Sequence, residues 1–207
     1  MNVNRYLLTV GILAATALGV LSCLPKANAG VDSVMQNQTI DPAVQIGDYC
    51  SGTIVKSARD QASGEVETVI LTAKHCVSDT KVVDVVRVNH KNMREIGKTV
   101  YRGDVSTCWS SDIATVTLRD KDTWFPATAR IAKDEPSYGD EVVSVAFPKG
   151  RSLTITEGRL GYIEEVPFFA TKSNEFYRAT PDIIGGSSGA PLFVKSETGY
   201  EVVGVTT

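Results

Sequence analysis

The chain has two histidines, His75 and His90, so proton transfer through an imidazole near neutral pH must use one of them. His75 follows the apolar run Val69-Ile70-Leu71-Thr72-Ala73 and precedes Cys76, at the end of what reads as a buried strand. His90 lies in Asn89-His90-Lys91-Asn92, which reads as a solvated polar turn. A lone histidine is ordinarily structural. The segment Gly185-Gly186-Ser187-Ser188-Gly189-Ala190-Pro191 changes that weighing. Glycines flanking a serine let the chain turn sharply, expose the hydroxyl and aim backbone N–H groups at a developing oxyanion. Without partners the same string would serve as a flexible loop. Asp112 supplies the remaining partner, opening the strand-like run Ile113-Ala114-Thr115-Val116-Thr117-Leu118. An acid there can be held against an imidazole and fix its tautomer; alone it would be a strand-end residue. The order His75, Asp112, Ser188 is one in which Ser-His-Asp triads occur. A rival frame, Gly-x-Ser-x-Gly with Ser187 as nucleophile, needs its acid and then its histidine after the serine. Downstream of Ser188 there is no histidine, and the acids are Glu197 and Glu201. That frame fails.

These residues must be carried by strands. Short β-prone runs at 52–55, 67–72, 81–88, 113–118, 141–147, 153–156 and 200–205 alternate with polar turns. Turn signals include Ser63-Gly64, Arg102-Gly103-Asp104 and Gly139-Asp140. The pattern predicts an all-β protein, an antiparallel sandwich or barrel, with no long helix and no internal repeat. The segment 121–134, with Pro126 and several charges, reads as a connector between two β-units, and 56–67 as an extended surface hairpin. At 207 residues and 43% apolar the chain can bury a core, which excludes a disordered polymer. A net charge of -3 argues against nucleic acid as partner, because phosphate contacts need clustered Lys and Arg. With no CxxC and no histidine cluster, no zinc site is expected and no metal or organic cofactor is required.

The motifs resemble those of the trypsin-like (chymotrypsin-fold) serine proteases, most of all compact bacterial or phage members. Thr72-Ala73-Lys74-His75-Cys76 is similar to the family's T-A-A-H-C, Asp112-Ile113-Ala114 to its D-I-A, and Gly186-Ser187-Ser188-Gly189-Ala190-Pro191 to G-D-S-G-G-P. Cys50-Ser51-Gly52 resembles the C-x-G segment whose cysteine bridges to the one after the histidine, here Cys76. The similarity runs from about Ala43 to the end of the sequence. It implies two packed antiparallel, six-stranded-type β-barrels with the active site in the cleft between them. The first (30–120) would carry His75 and Asp112, the second (135–207) Ser188. It implies a serine endopeptidase acting on a protein or peptide substrate, with the amides of Gly186 and Ser188 as oxyanion hole. Ser187 stands where animal relatives have the aspartate that pairs with a freed N-terminus, which implies a site independent of such cleavage. Asp182, six residues before Ser188, matches the base of the specificity pocket and would favour Lys or Arg; a turn acid in Thr180-Pro181-Asp182 is the other reading. Ile184 replaces the pocket's usual cysteine. Gly204-Val205-Thr206-Thr207 resembles the strand that walls the substrate cleft, with Thr207 a substrate-binding residue. The family continues beyond that strand, which implies either that the sequence is a fragment or that the second barrel is shortened at its C-terminus. From a different functional class comes a catalytically silent relative that uses the same scaffold to bind another protein.

At the start, Arg5, an uncharged stretch from Tyr6 to Leu24 and then Ala27-Asn28-Ala29 predict a signal peptide over residues 1–29, cleaved after Ala29. Cleavage removes Arg5 and Lys26 and no acid, leaving a more acidic chain. An uncleaved anchor, and acylation at Cys23 in Val20-Leu21-Ser22-Cys23, are the alternatives, and either would bring contact with a membrane. All three export the body of the chain, where disulfides are permitted. Cys50, Cys76 and Cys108 remain after cleavage, so at most one internal pair forms; Cys108 is a buried thiol or an intermolecular bridge.

Overall fold

Side-chain alternation decides which faces are buried. Along Val66–Ala73, Val66, Thr68, Ile70 and Thr72 turn inward, while Glu67, Val69 and Leu71 stay half-exposed. Successive residues of a strand point to opposite faces, so this period of two commits one face to a core. In the computed structural model, residues 32–91, 94–168 and 172–207 are described. The predicted signal peptide, with Cys23 and Ala29, lies outside them.

Six strands, β1 (Ala43–Ile46), β2 (Cys50–Arg59), β3 (Val66–Ala73), β4 (Val82–Lys91), β5 (Arg94–Thr107) and β6 (Ile113–Asp120), close into a barrel ordered β1-β2-β3-β6-β5-β4. Closure comes from β1, which pairs antiparallel with β2 on one side and β4 on the other. Val44, Ile46, Ile54, Ile70, Val85 and Val116 fill the interior. A second sheet holds β7 (Arg130–Ile131), β8 (Glu141–Ala146), β9 (Thr154–Phe168), β10 (Lys172–Ala179), β11 (Pro191–Ser196) and β12 (Gly199–Val205), ordered β10-β9-β8-β11-β12-β7. Its pairs are antiparallel except β12 with β7, which is parallel. The two halves share apolar contacts: Ala43 and Val88 of the barrel cluster with Val145, Phe147, Phe193 and Val202 of the sheet. Phe147 and Phe193 are fully buried, and burial of one such side chain contributes about 1.5–3 kcal/mol. Before the barrel, a helical turn at Ser33–Met35 is capped by the Asp32 carboxylate, which accepts from Met35 N. Gln38 Oε1 then accepts from Tyr200 N, tying this segment to β12.

Several local expectations are corrected. Arg102-Gly103-Asp104 is not a turn but lies inside β5, paired with 82–84 of β4. Gly103 is there for close packing: a Cβ would fall 2.4 Å from Val116 Cγ1 and 2.8 Å from Leu118 Cδ2. His90 is likewise no turn residue, since it pairs with Glu95 at the end of the long β4–β5 hairpin. The segment 121–134 contains β7, which joins the second sheet.

Candidate active site

Strand register brings the acid to the histidine. β3 runs antiparallel to β6 with Ala73 opposite Ile113, so the residues just after β3 meet those just before β6. Lys74 N donates to Asp112 O at 3.1 Å. His75 follows in a single 3-10 turn, Lys74–Cys76. Both carboxylate oxygens of Asp112 hold it: Oδ1 accepts from His75 N at 2.8 Å, and Oδ2 lies 2.6 Å from His75 Nδ1. A carboxylate accepts only, so Nδ1 carries a proton, and in the neutral tautomer this fixes, Nε2 is the nitrogen with the lone pair. The His75 side chain is 46% exposed and that of Asp112 25%, so the imidazole is open to solvent.

The serine loop is folded against the same corner. Ser187 N donates to Ile184 O and Ala190 N to Ser187 O, each at 2.9 Å. Gly189 N donates to Thr206 O at 2.7 Å, and Thr206 N to Ala190 O at 2.8 Å. Across the halves, Ser51 N donates to Ser188 O at 2.8 Å. Gly189, at φ +79°, has no space for a side chain: a Cβ would sit 2.2 Å from Thr72 Oγ1 and 2.9 Å from Ala73 N. The residue after Ser188 therefore touches β3 two residues before His75. Gly186, at φ +96°, abuts the turn Pro148–Gly150, where a Cβ would fall 2.0 Å from Lys149 N. Among the described residues, no backbone carbonyl accepts from the amides of Gly186 or Ser188.

Cys50 and Cys76 form a disulfide with Cα atoms 6.1 Å apart. A ring nitrogen of His75 lies within 4.8 Å of both sulfurs, but the disulfide leaves no thiolate there for a metal. Cys108 is free and half-buried on the loop leading to Asp112. Its N donates to Ile113 O at 2.9 Å, and its Sγ lies 3.3 Å from Ser110 Oγ. The Ser110 hydroxyl, then that of Ser111, lowers the thiol pKa to about 7. Asp182 is exposed beside buried Pro181, and Thr207 is exposed next to buried Thr206. A groove of about 380 Å³ lined by Leu71, Ile113, Ile131, Pro136, Val203 and Val205 includes none of His75, Asp112 and Ser188. Sequence reasoning missed Ser51, whose partners lie 96 and 135 positions away; a serine between Cys50 and Gly52 carries no signal of that.

Comparisons with known proteins meet this geometry. Solved structures similar to the chain include the inactive form of the Rv3671c protease of M. tuberculosis, at 20% identity and TM-score 0.58, covering 84% of this chain and 83% of that one. Deg5 is similar at 18% identity and TM-score 0.62, over 84% of this chain and 82% of its own. The apo protease domain of MamO from Magnetospirillum magneticum has 17% identity and TM-score 0.61, over 81% and 84%. At such identities the likeness establishes the fold. None of the curated proteins compared matches the sequence. The family described as trypsin-like peptidase domain matches residues 50–205, from the disulfide cysteine to the end of β12. With three quarters of its length under that match, this chain belongs to the trypsin-like peptidase family.

Proposed function

We propose that the protein is an exported serine endopeptidase in which Ser188 is the nucleophile, His75 the general base and Asp112 the group that orients and stabilises the imidazolium. Ser188 Oγ attacks the scissile carbonyl while His75 Nε2 takes its proton. His75 then returns the proton to the leaving amine, and water repeats the cycle on the acyl-enzyme. The amides of Gly186 and Ser188 receive the oxyanion; one such donor typically contributes about 2.7–4 kcal/mol to the transition state. The observation that carries this reading is the two-point hold of Asp112 on His75, by ring and by backbone. A strand-end acid with a merely structural role needs only one of those bonds. Export is supported by the Cys50–Cys76 bond, a feature of oxidising compartments, and by the leader-like start of the sequence. The substrate is a peptide segment, with a modest preference for Lys or Arg before the cut from Asp182.

A fluorophosphonate probe tests the proposal. Native protein is expected to label stoichiometrically at Ser188, and Ser188→Ala not at all. A folded native sample that resists labelling would favour the silent, protein-binding relative instead.

A further inference from the structure

We infer that Ser51 is a positioning residue that sets the oxyanion-binding amides of the nucleophile loop; the inference rests on the protease reading above. Ser51 is completely buried, yet every polar group it owns is engaged. Its N donates to Ser188 O at 2.8 Å. Its O accepts from Thr72 Oγ1 at 2.7 Å. Its Oγ accepts from Phe147 N at 2.8 Å and donates to Gly186 O at 3.2 Å. The direction of that last bond is forced. A backbone N–H only donates and a carbonyl only accepts, so with Phe147 N–H on one side the single hydroxyl proton must go to Gly186.

The consequence falls on two peptide planes. Gly186, at φ +96°, is a residue without Cβ and therefore with little intrinsic resistance to rotation. Ser51 holds the carbonyls of Gly186 and Ser188 together towards β2, through its hydroxyl and its amide. The Gly186 carbonyl shares its peptide plane with Ser187 N, which donates to Ile184 O, and the Ser188 carbonyl shares its plane with Gly189 N, which donates to Thr206 O; the plane between them, Ser187 O with Ser188 N, is held by Ala190 N. The amides of Gly186 and Ser188 are those left over. The hydroxyl thus joins three segments distant in sequence: the start of β2 beside the disulfide, the turn after β8 and the nucleophile loop. Thr72, which holds the Ser51 carbonyl, is also the side chain Gly189 is packed against. One serine therefore references the serine loop to the strand that ends at His75.

The test compares Ser51→Ala and Ser51→Thr with the native protein. Ser51→Ala is expected to lower kcat on a chromogenic peptide about tenfold with KM changed less than about twofold, as for a weakened oxyanion donor. Affinity for a peptidyl aldehyde, which forms an oxyanion on binding, should fall by the same factor, and Ser51→Thr should restore most of both. Gly103→Ala, a destabilising change far from the loop, should leave kcat unmoved. Backbone hydrogen exchange over 184–190 should speed up in Ser51→Ala without any substrate present. Unchanged exchange there, unchanged kcat and aldehyde affinity, or an equal loss in Gly103→Ala each overturns the inference. Should Ser51→Ala not fold, Ser51→Gly, which also lacks the hydroxyl, takes its place. Failure of native protein to react with fluorophosphonate would sink the protease reading alone, because the exchange measurement still decides whether Ser51 tethers the loop.

Discussion

At the scale of single residues, exposure decides how much a charge can do. Asp182 matches a specificity position in sequence, but its carboxylate stands in water. Exposed ion pairs contribute about 0–1 kcal/mol, so Asp182→Ala should change the Arg-to-Leu ratio of kcat/KM by no more than about fivefold. A peptide panel measures this, and a hundredfold change would mean that substrate binding desolvates the acid. Cys108 offers a pH-dependent case. Its thiol pKa is lowered to about 7 by the Ser110 and Ser111 hydroxyls. Thiolate therefore predominates above about pH 7 and is lost below it, and alkylation by iodoacetamide should rise through that pH. An unperturbed cysteine rises through about 8.5; a native profile centred there would contradict the serine contacts. The same sign rule makes the thiolate's contribution to stability present above the unfolded pKa and lost as pH falls through the folded one.

At the scale of elements, two glycines of one strand separate packing from propensity. In β5, Gly103 would press a Cβ against Val116 and Leu118, whereas Gly97 has nothing within 4 Å. Gly103→Ala should destabilise by about 1–3 kcal/mol through overpacking. Gly97→Ala should be neutral or stabilising by up to about 1 kcal/mol, because it removes backbone freedom from the unfolded chain. Chemical denaturation of both variants checks the contrast; equal effects would mean that β5 does not pack as described. The same glycine shows where sequence reading fails. Arg-Gly-Asp is turn chemistry locally, and only the neighbouring strand β6 reveals a glycine chosen for lack of volume. The runs at 67–72 and 113–118 were legible because alternation and β-branching announce them, and they became β3 and β6. β1, β7 and β10 were not, being short or polar, with identities set by their partners. The histidine and acid could be named from motifs, since the ends of adjacent strands carry them. Ser51 could not, because its bonds span the molecule.

At the scale of the whole molecule, the disulfide is the tie nearest the chemistry. Cys50 and Cys76 close a loop with a sequence separation of 26, for which chain-entropy reasoning gives about 3.5 kcal/mol. The double variant Cys50→Ala/Cys76→Ala should lose about that much in urea denaturation. It should also lose activity, because Cys50 adjoins Ser51 and Cys76 adjoins His75. A stability change below about 1 kcal/mol would show that packing alone sets the corner. Barrel and sheet are further joined by the cluster of Ala43 and Val88 with Phe147 and Phe193. The backbone of Ser188 is stitched not to its own sheet but to Ser51 of the opposite barrel. Under the proposed mechanism, parting of the halves therefore also removes a bond that holds the nucleophile's backbone. On that reading a molecule that has begun to gape falls silent, residual turnover in a half-denatured sample counts only the copies still shut, and a loosened intermediate is harmless to its surroundings before it is lost.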